Sequence, residues 1–193
     1  CLMSKNKGNS FERLICKQLS LWWSEGKSDD IFWRTASSGG RSTQRAKKGK
    51  ATKNHDGDIG CVDASGQPFL DLFILECKIG YSKESIHDII DAGPSSAKSK
   101  ILGWIEKLEM QRKRLGKPWW LLIHRRDRRE PLAFMPMRAA SLLLDESSDL
   151  NLYPHGSLWL PSKPSMGMVV VYPLIPLLTN VTPQRIIELA SRE

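Results

Sequence analysis

Stretches in which apolar residues recur with helical or strand period alternate along the chain with long stretches that have no period at all. Phe11, Leu14, Ile15, Leu19 and Trp22 recur at three- and four-residue steps, predicting an amphipathic helix opened by Gly8-Asn9-Ser10 and running to about Trp23. At about 100° per residue, Glu12 falls in the arc of Ile15, Cys16, Leu19 and Trp23. A carboxylate therefore points inward from the first turn and needs a partner or a metal. Ile31 to Arg34 reads as a short strand, and Thr35 to Asn54, rich in Ser, Gly and Lys, reads as a long loop. Asp58 to Asp63 and Phe69 to Ile79 are apolar-rich and separated by Ser65-Gly66-Gln67-Pro68, a pattern that predicts a β-hairpin. A hairpin centred on Gln67 sets Asp58 directly across from Glu76, with Cβ atoms roughly 5 Å apart.

Ser82 to Ala92 predicts a helix ended by Gly93-Pro94, and Ala97 to Leu115 a second, with Ile101, Ile105 and Leu108 on one face and Gly116 as its stop. Trp119 to His124 and Leu132 to Met135 read as strands around the charged turn Arg125 to Glu130. The order to this point is α, β, β, β, α, α, β, β. Beyond Pro136 the periodicity weakens to a short helix at Arg138 to Leu144, a strand at Met168 to Tyr172 and a last helix begun by Thr182-Pro183. The expected architecture is α/β, a central mixed sheet flanked by helices. It forms a single domain over 1–193: a core at 8–136 with a basic insert at 35–55, and a C-terminal extension at 137–193 packed on that core.

Composition sharpens this picture. A chain of 193 residues with 40% apolar content and seven tryptophans can bury a sizeable core. A net charge of +8 and a pI near 9.4 call for an anionic partner, and the distribution says more than the total. Residues 34 to 55 hold seven Lys/Arg and no acid, residues 98 to 129 hold eleven against three, and the segment between is acidic. Such a pattern suits a metal site flanked by phosphate-binding surface. Cys1, Cys16, Cys61 and Cys77 form no CxxC pair and share no ligand spacing with the four histidines, which argues against a zinc site and for free thiols in a reducing, cytoplasmic setting. The apolar runs are strand-sized, so no membrane span is expected.

Glu76-Cys77-Lys78 on its own is a pattern that chance supplies in a chain of this length. Its setting gives it weight, because Glu76 and Lys78 share a face of an otherwise strongly apolar strand. Asp58 and Glu76, hard oxygen donors, together with the Cys77 backbone carbonyl, suit Mg2+, with Mn2+ able to substitute. Lys78 would stand beside the water shell and neutralise charge as phosphorus becomes five-coordinate, while Glu12 binds through a metal-bound water or completes a second metal site. Asp56, on the same strand face as Asp58, is a rival ligand. Arg41, Arg45, Lys47, Lys48, Lys50 and Lys53 in the basic loop are candidate phosphate clamps. The Trp22-Trp23 and Trp119-Trp120 pairs read as core, and His124 as structural.

Gly8 to Leu19 (GNSFERLICKQL), Arg34-Thr-Ala-Ser-Ser, Asp58-Ile59 and Ile74-Leu-Glu-Cys-Lys78 together resemble the ordered motifs of archaeal-type Holliday junction resolvases, within the PD-(D/E)XK nuclease superfamily. The resemblance spans about residues 8 to 136 and implies a restriction-endonuclease-like core and a metal-dependent, structure-selective DNA endonuclease working as a homodimer. By position it makes Glu12, Asp58, Glu76 and Lys78 the catalytic and metal residues, with Arg13, Arg34 and Ser37 or Ser38 supporting DNA contact. The chain departs from that family where residues 39 to 57 intervene before the aspartate, and where Gly57 stands in place of proline. A restriction-type or phage nuclease on ordinary duplex is the nearest alternative. A non-catalytic DNA-binding module is a third reading, disfavoured because Glu12, Asp58 and Glu76 would repel phosphate without an intervening cation.

Overall fold

The computed structural model describes residues 2–35, 57–81, 99–144, 156–159 and 167–192. Helix α1 (Leu2–Trp23) begins well before the expected Asn9-Ser10 cap, and its buried face is Phe11, Ile15, Cys16, Leu19 and Trp23. The buried Ser20 hydroxyl ties this helix to the first strand, accepting from the amides of Ile31 (3.1 Å) and Phe32 (2.9 Å). Those bonds fix the start of β1 (Phe32–Arg34), which pairs antiparallel with β2 (Ile59–Cys61) so that Arg34 lies opposite Ile59.

The expected hairpin does not form. Asp63 caps a single 3-10 turn at Ala64–Gly66, and Gln67–Leu72 then coils into a short helix, α2, whose proline stands at the opening of the helix. Pro68, expected to turn the chain, opens this helix, and Phe69, Leu70 and Leu72 are its buried residues. Strand β3 therefore begins only at Phe73 and runs to Ile79. It does not pair with β2 at all. Gly57 forms a parallel bridge with Leu75, so Asp58 reaches β3 from beside it rather than from across an antiparallel ladder.

Helix α3 (Lys100–Leu115) is capped by Ser99, which the sequence did not single out, and is ended as expected by Gly116, in the left-handed region. It returns the chain to β4 (Trp119–Arg125), which lies parallel to β3 with Glu76 beside Leu122 and Lys78 beside His124. Strand β5 (Leu132–Pro136) turns back antiparallel, helix α4 (Met137–Leu143) comes next, and β6 (Gly156–Trp159) and β7 (Met168–Pro173) complete a five-stranded sheet in the order β3-β4-β5-β7-β6. Helices α5 (Leu174–Asn180) and α6 (Pro183–Ala190) close the chain, the latter capped by Thr182 as expected. The observed order interrupts the predicted run of three strands with α2, while the predicted helix at 82–92 lies outside the described residues.

The mixed sheet carries helices on both faces. One face buries Phe73, Leu75, Cys77, Trp119, Leu121, Ala133, Met135 and Val170 against α1, α2 and the C-terminal helices. The other buries Ile74, Trp120, Leu122, Phe134 and Val169 against Ile101, Ile105 and Leu108 of α3. Because side chains alternate along a strand, Glu76 and Lys78 follow Ile74 toward the α3 face. Trp22, Trp23, Phe32, Phe69, Phe73 and Trp119 form a continuous aromatic cluster with neighbouring centroids 5.3 to 6.1 Å apart, so the tryptophan pairs are core.

Candidate active site

Asp58 is fixed by its own backbone before its side chain acts. Its amide donates to the Leu75 carbonyl (2.8 Å) and its carbonyl accepts from the Thr35 amide (3.0 Å). The Thr35 hydroxyl also donates to the Gly57 carbonyl (2.7 Å). Buried Asp58 then accepts the Cys77 amide through Oδ2 (2.8 Å), which places its carboxylate beside the middle of β3. The proximity of Asp58 to Glu76-Cys77-Lys78 is thus achieved, by a side-chain bond to the strand rather than by the antiparallel pairing expected from the sequence.

Glu76 is buried at 7% exposure, a position that an apolar strand tolerates for a carboxylate only with compensation. Lys78 supplies it. Its ammonium hydrogen-bonds Glu76 Oε1, lies 3.4 Å from the Cys77 carbonyl oxygen and 3.9 Å from Asp58 Oδ2. One cation thus sits where oxygens of Asp58, Glu76 and Cys77 converge. Burial pushes the Lys78 amine toward neutrality, but the charges of Glu76 and Asp58 outweigh it and hold the group above its ordinary value. Lys78 is therefore an ammonium at neutral pH and acts as a charge.

Glu12 points inward from α1, as the helical spacing requires. Its Oε2 accepts from Arg34 Nε (2.9 Å), and Arg34 Nη2 donates to Asn9 Oδ1 (2.8 Å), one turn earlier on the same helix face. Burial raises the Glu12 carboxyl above its ordinary range; Arg34 opposes this, and the nearby Asp58 charge adds to it. Arg34, expected to support DNA contact, is mostly buried here as the partner of Glu12. Cys16 and Cys77 are poor nucleophiles: burial, with Glu12 adding, takes Cys16 up to about 12, and burial with Asp58 takes Cys77 well above its usual value.

Among the described residues no group of three or more His, Cys, Asp or Glu side chains already converges as a metal cage. The donor set nonetheless fits a hard cation. Two carboxylates and a backbone carbonyl surround a point that an ammonium occupies, and the Asp58 bond to the Cys77 amide uses only Oδ2.

Arg13 is exposed on α1. Ser37, Ser38, Arg41, Arg45, Lys47, Lys48, Lys50 and Lys53, with the rival ligand Asp56, lie outside the described residues, although the segment's two ends, Thr35 and Gly57, meet beside Asp58. At the end of β4 Arg125 lies over the Phe11 ring, and in the turn that follows Asp127 pairs with Lys7, while Arg126, Arg128 and Arg129 are exposed. His124 is buried, its Nε2 3.2 Å from the Gly80 carbonyl oxygen, which agrees with a structural role. Sequence reasoning missed Lys107, whose Nζ lies 3.8 Å from Glu76 Oε1. Only the β3-α3-β4 connection brings it there, and no local pattern signals that.

A family model described as "Phage putative PDDEXK endonuclease" matches residues 3–157. The chain belongs to that family. The match takes in Glu12, Asp58, Glu76 and Lys78, and it supports the PD-(D/E)XK superfamily that the motifs suggested without bearing on four-way junctions. No curated protein and no solved structure matches the chain.

Proposed function

We propose that this protein is a divalent-cation-dependent endonuclease that hydrolyses phosphodiester bonds in DNA. The observation that carries this reading is the Lys78 ammonium at the meeting point of Asp58, Glu76 and the Cys77 carbonyl. Those are the oxygens a hard cation would use, and PD-(D/E)XK nucleases generally use divalent metal ions. Mg2+ held there, or Mn2+ in its place, would polarise the scissile phosphate and supply a water of lowered pKa.

The chain's own residues do the rest. Asp58 and Glu76 bind, and the Cys77 amide keeps Asp58 oriented. Lys78, displaced a short way from Glu76, remains cationic and donates to a phosphate oxygen as charge builds there. Glu12 reaches the site through water, held in place by Arg34. Water that loses a proton to solvent would add to phosphorus as hydroxide, the bond to the leaving oxygen would break, and that oxygen would take a proton from solvent. The two basic segments supply attraction for a polyanion, one rooted at the Thr35–Gly57 contact and the other including α3.

Preference for branched DNA and assembly as a homodimer rest on motif likeness alone. The family description names no DNA substrate, so cleavage of ordinary duplex stands beside branched DNA as the alternative to test. The test is cleavage of linear duplex, four-way junction, flap and single-stranded DNA with Mg2+, Mn2+ or EDTA. The wild-type chain is expected to cut only with the cation, and Asp58→Asn and Lys78→Ala are expected to lose about 100-fold or more in rate. Retained cleavage in both variants would overturn the assignment. DNA bound but never cut with either cation would leave a binding module.

A further inference from the structure

Glu76 Oε1 receives two ammonium groups. Lys78 comes from the same strand, whereas Lys107 reaches over from α3 and stops at 3.8 Å. Resting on the nuclease reading above, we propose that Lys107 is a displaceable counter-ion, which leaves Glu76 when a divalent cation enters and then binds a phosphate of the DNA backbone.

Charge balance gives the first argument. Among the described residues, Glu12, Asp58 and Glu76 face Arg34, Lys78 and Lys107, so that set is neutral as it stands. A divalent ion adds two positive charges, and the departure of one resident cation relieves half of that excess. Exposure decides which one leaves: the Lys107 side chain is 53% exposed, against 23% for both Lys78 and Arg34. Its head group moves into water at little cost while the stem stays on the protein. Its root is firm, because Ile105 and Leu108 on either side are buried under the sheet. Lys100, Trp104 and Lys107 recur at helical spacing, so the stripe runs on beside the end of β3: Lys100 lies over the Tyr81 ring, and Trp104 contacts Tyr81 and His124.

The consequence is a coupling with a definite sign. Without DNA, Lys107 competes with the cation for Glu76 and weakens its binding. With DNA, a phosphate takes the ammonium and frees the carboxylate. Cation and DNA then favour one another, and the effect is reciprocal.

Lys107→Met keeps the stem and removes the charge, and Lys107→Arg keeps the charge. Calorimetric titration of the DNA-free full chain with Mn2+ is expected to show tighter binding in Lys107→Met, by about fivefold, with Asp58→Asn as the control that abolishes it. Duplex binding in Ca2+, with the DNA confirmed intact, is expected to weaken in Lys107→Met, and its log-log salt slope to fall by about 0.9. Lys107→Arg is expected to keep that slope, and thermal melting of both variants should match wild type. Opposite shifts in the two titrations support the coupling. Unchanged Mn2+ and DNA binding overturn it while the nuclease reading stands. Weaker binding of both partners in Lys107→Met also overturns it, since Lys107 would then merely brace Glu76. A wild-type chain that binds neither Mn2+ nor Ca2+ removes both readings together.

Discussion

Gly57 governs where Asp58 can go. Its φ is +102°, and a Cβ added there would lie 2.4 Å from the Leu75 carbonyl oxygen. The proline that gives the superfamily its first letter cannot adopt that angle, its ring holding φ near about −65°. Glycine at this position is therefore what lets the chain press against β3 and deliver Asp58 to the Cys77 amide. Gly57→Ala is expected to cost about 1–3 kcal/mol of stability from backbone strain. It should also slow cleavage by about 100-fold, as a carboxylate misplaced by about 1 Å would. Urea denaturation and initial rates measure the two effects, and wild-type values for both would refute this account. Glu76 and Lys78 stood out in the sequence because charges on an apolar strand need a reason, whereas Asp58 was set beside them by a hairpin register that does not form. The role of Gly57 was not legible, because a glycine letter does not report its φ, and neither was the pairing of Arg34 with Glu12, which only tertiary structure brings about.

Helix α3 is held over the sheet by a second buried carboxylate. Glu109 accepts two bonds from Arg112 (2.8 Å each) and one from the Trp120 indole (3.1 Å), while Arg112 Nη1 donates to the carbonyls of Lys117 and Pro118. The last turn of α3 is thus tied to the start of β4, and this tie sets where Lys107 stands. Burial pushes the Glu109 carboxyl up, but the Arg112 bond and charge, with Lys113 and Trp120, outweigh it and hold it below 4.5. A carboxyl whose folded pKa is depressed stabilises the fold above its unfolded pKa, and that contribution is lost as pH falls through the folded value. Glu109→Gln is therefore expected to cost about 1–3 kcal/mol at neutral pH, and the gap to wild type should close on acidification below 4.5. Urea melts at several pH values give the comparison, and a gap that widens in acid would contradict the assignment. The element itself was plain in the sequence, since its sixteen residues carry several turns of period and end at Gly116. Helix α2 was not, because six residues hold fewer than two turns, and Phe69, Leu70 and Leu72 suit a strand equally well.

At the scale of the molecule, the sequence suggested one domain with a core at 8–136 and a C-terminal extension packed on it, since periodicity weakens after Pro136. In the structure a strand of that extension enters the sheet itself. Strand β7 pairs with β5 along its whole length, Leu132 to Pro136 against Pro173 to Val169, and is an inner strand with β6 on its far side. Val170, Tyr172, Leu174, Leu177, Ile186 and Leu189 are part of the same core as α1 and β3. The pairing of β5 with a strand more than thirty residues away leaves no local trace, which is why the sequence could not show it. The family match ends at residue 157, so it holds every residue of the site and lacks β7. A chain cut after residue 157 tests whether those residues suffice. It would leave the β5 edge unpaired, expose Ala133, Phe134 and Met135, all buried in the full chain, and uncover α2 where α6 packs on it. Burial of each large apolar side chain is worth about 1.5–3 kcal/mol, so losing several exceeds the net stability of about 5–15 kcal/mol typical of a domain. The truncated chain is expected to lose its cooperative thermal transition, bind ANS and cut no DNA despite retaining Glu12, Asp58, Glu76 and Lys78. A sharp melt together with cleavage by that truncated chain would show instead that the first 157 residues fold alone, and that β7 only extends a sheet already stable without it.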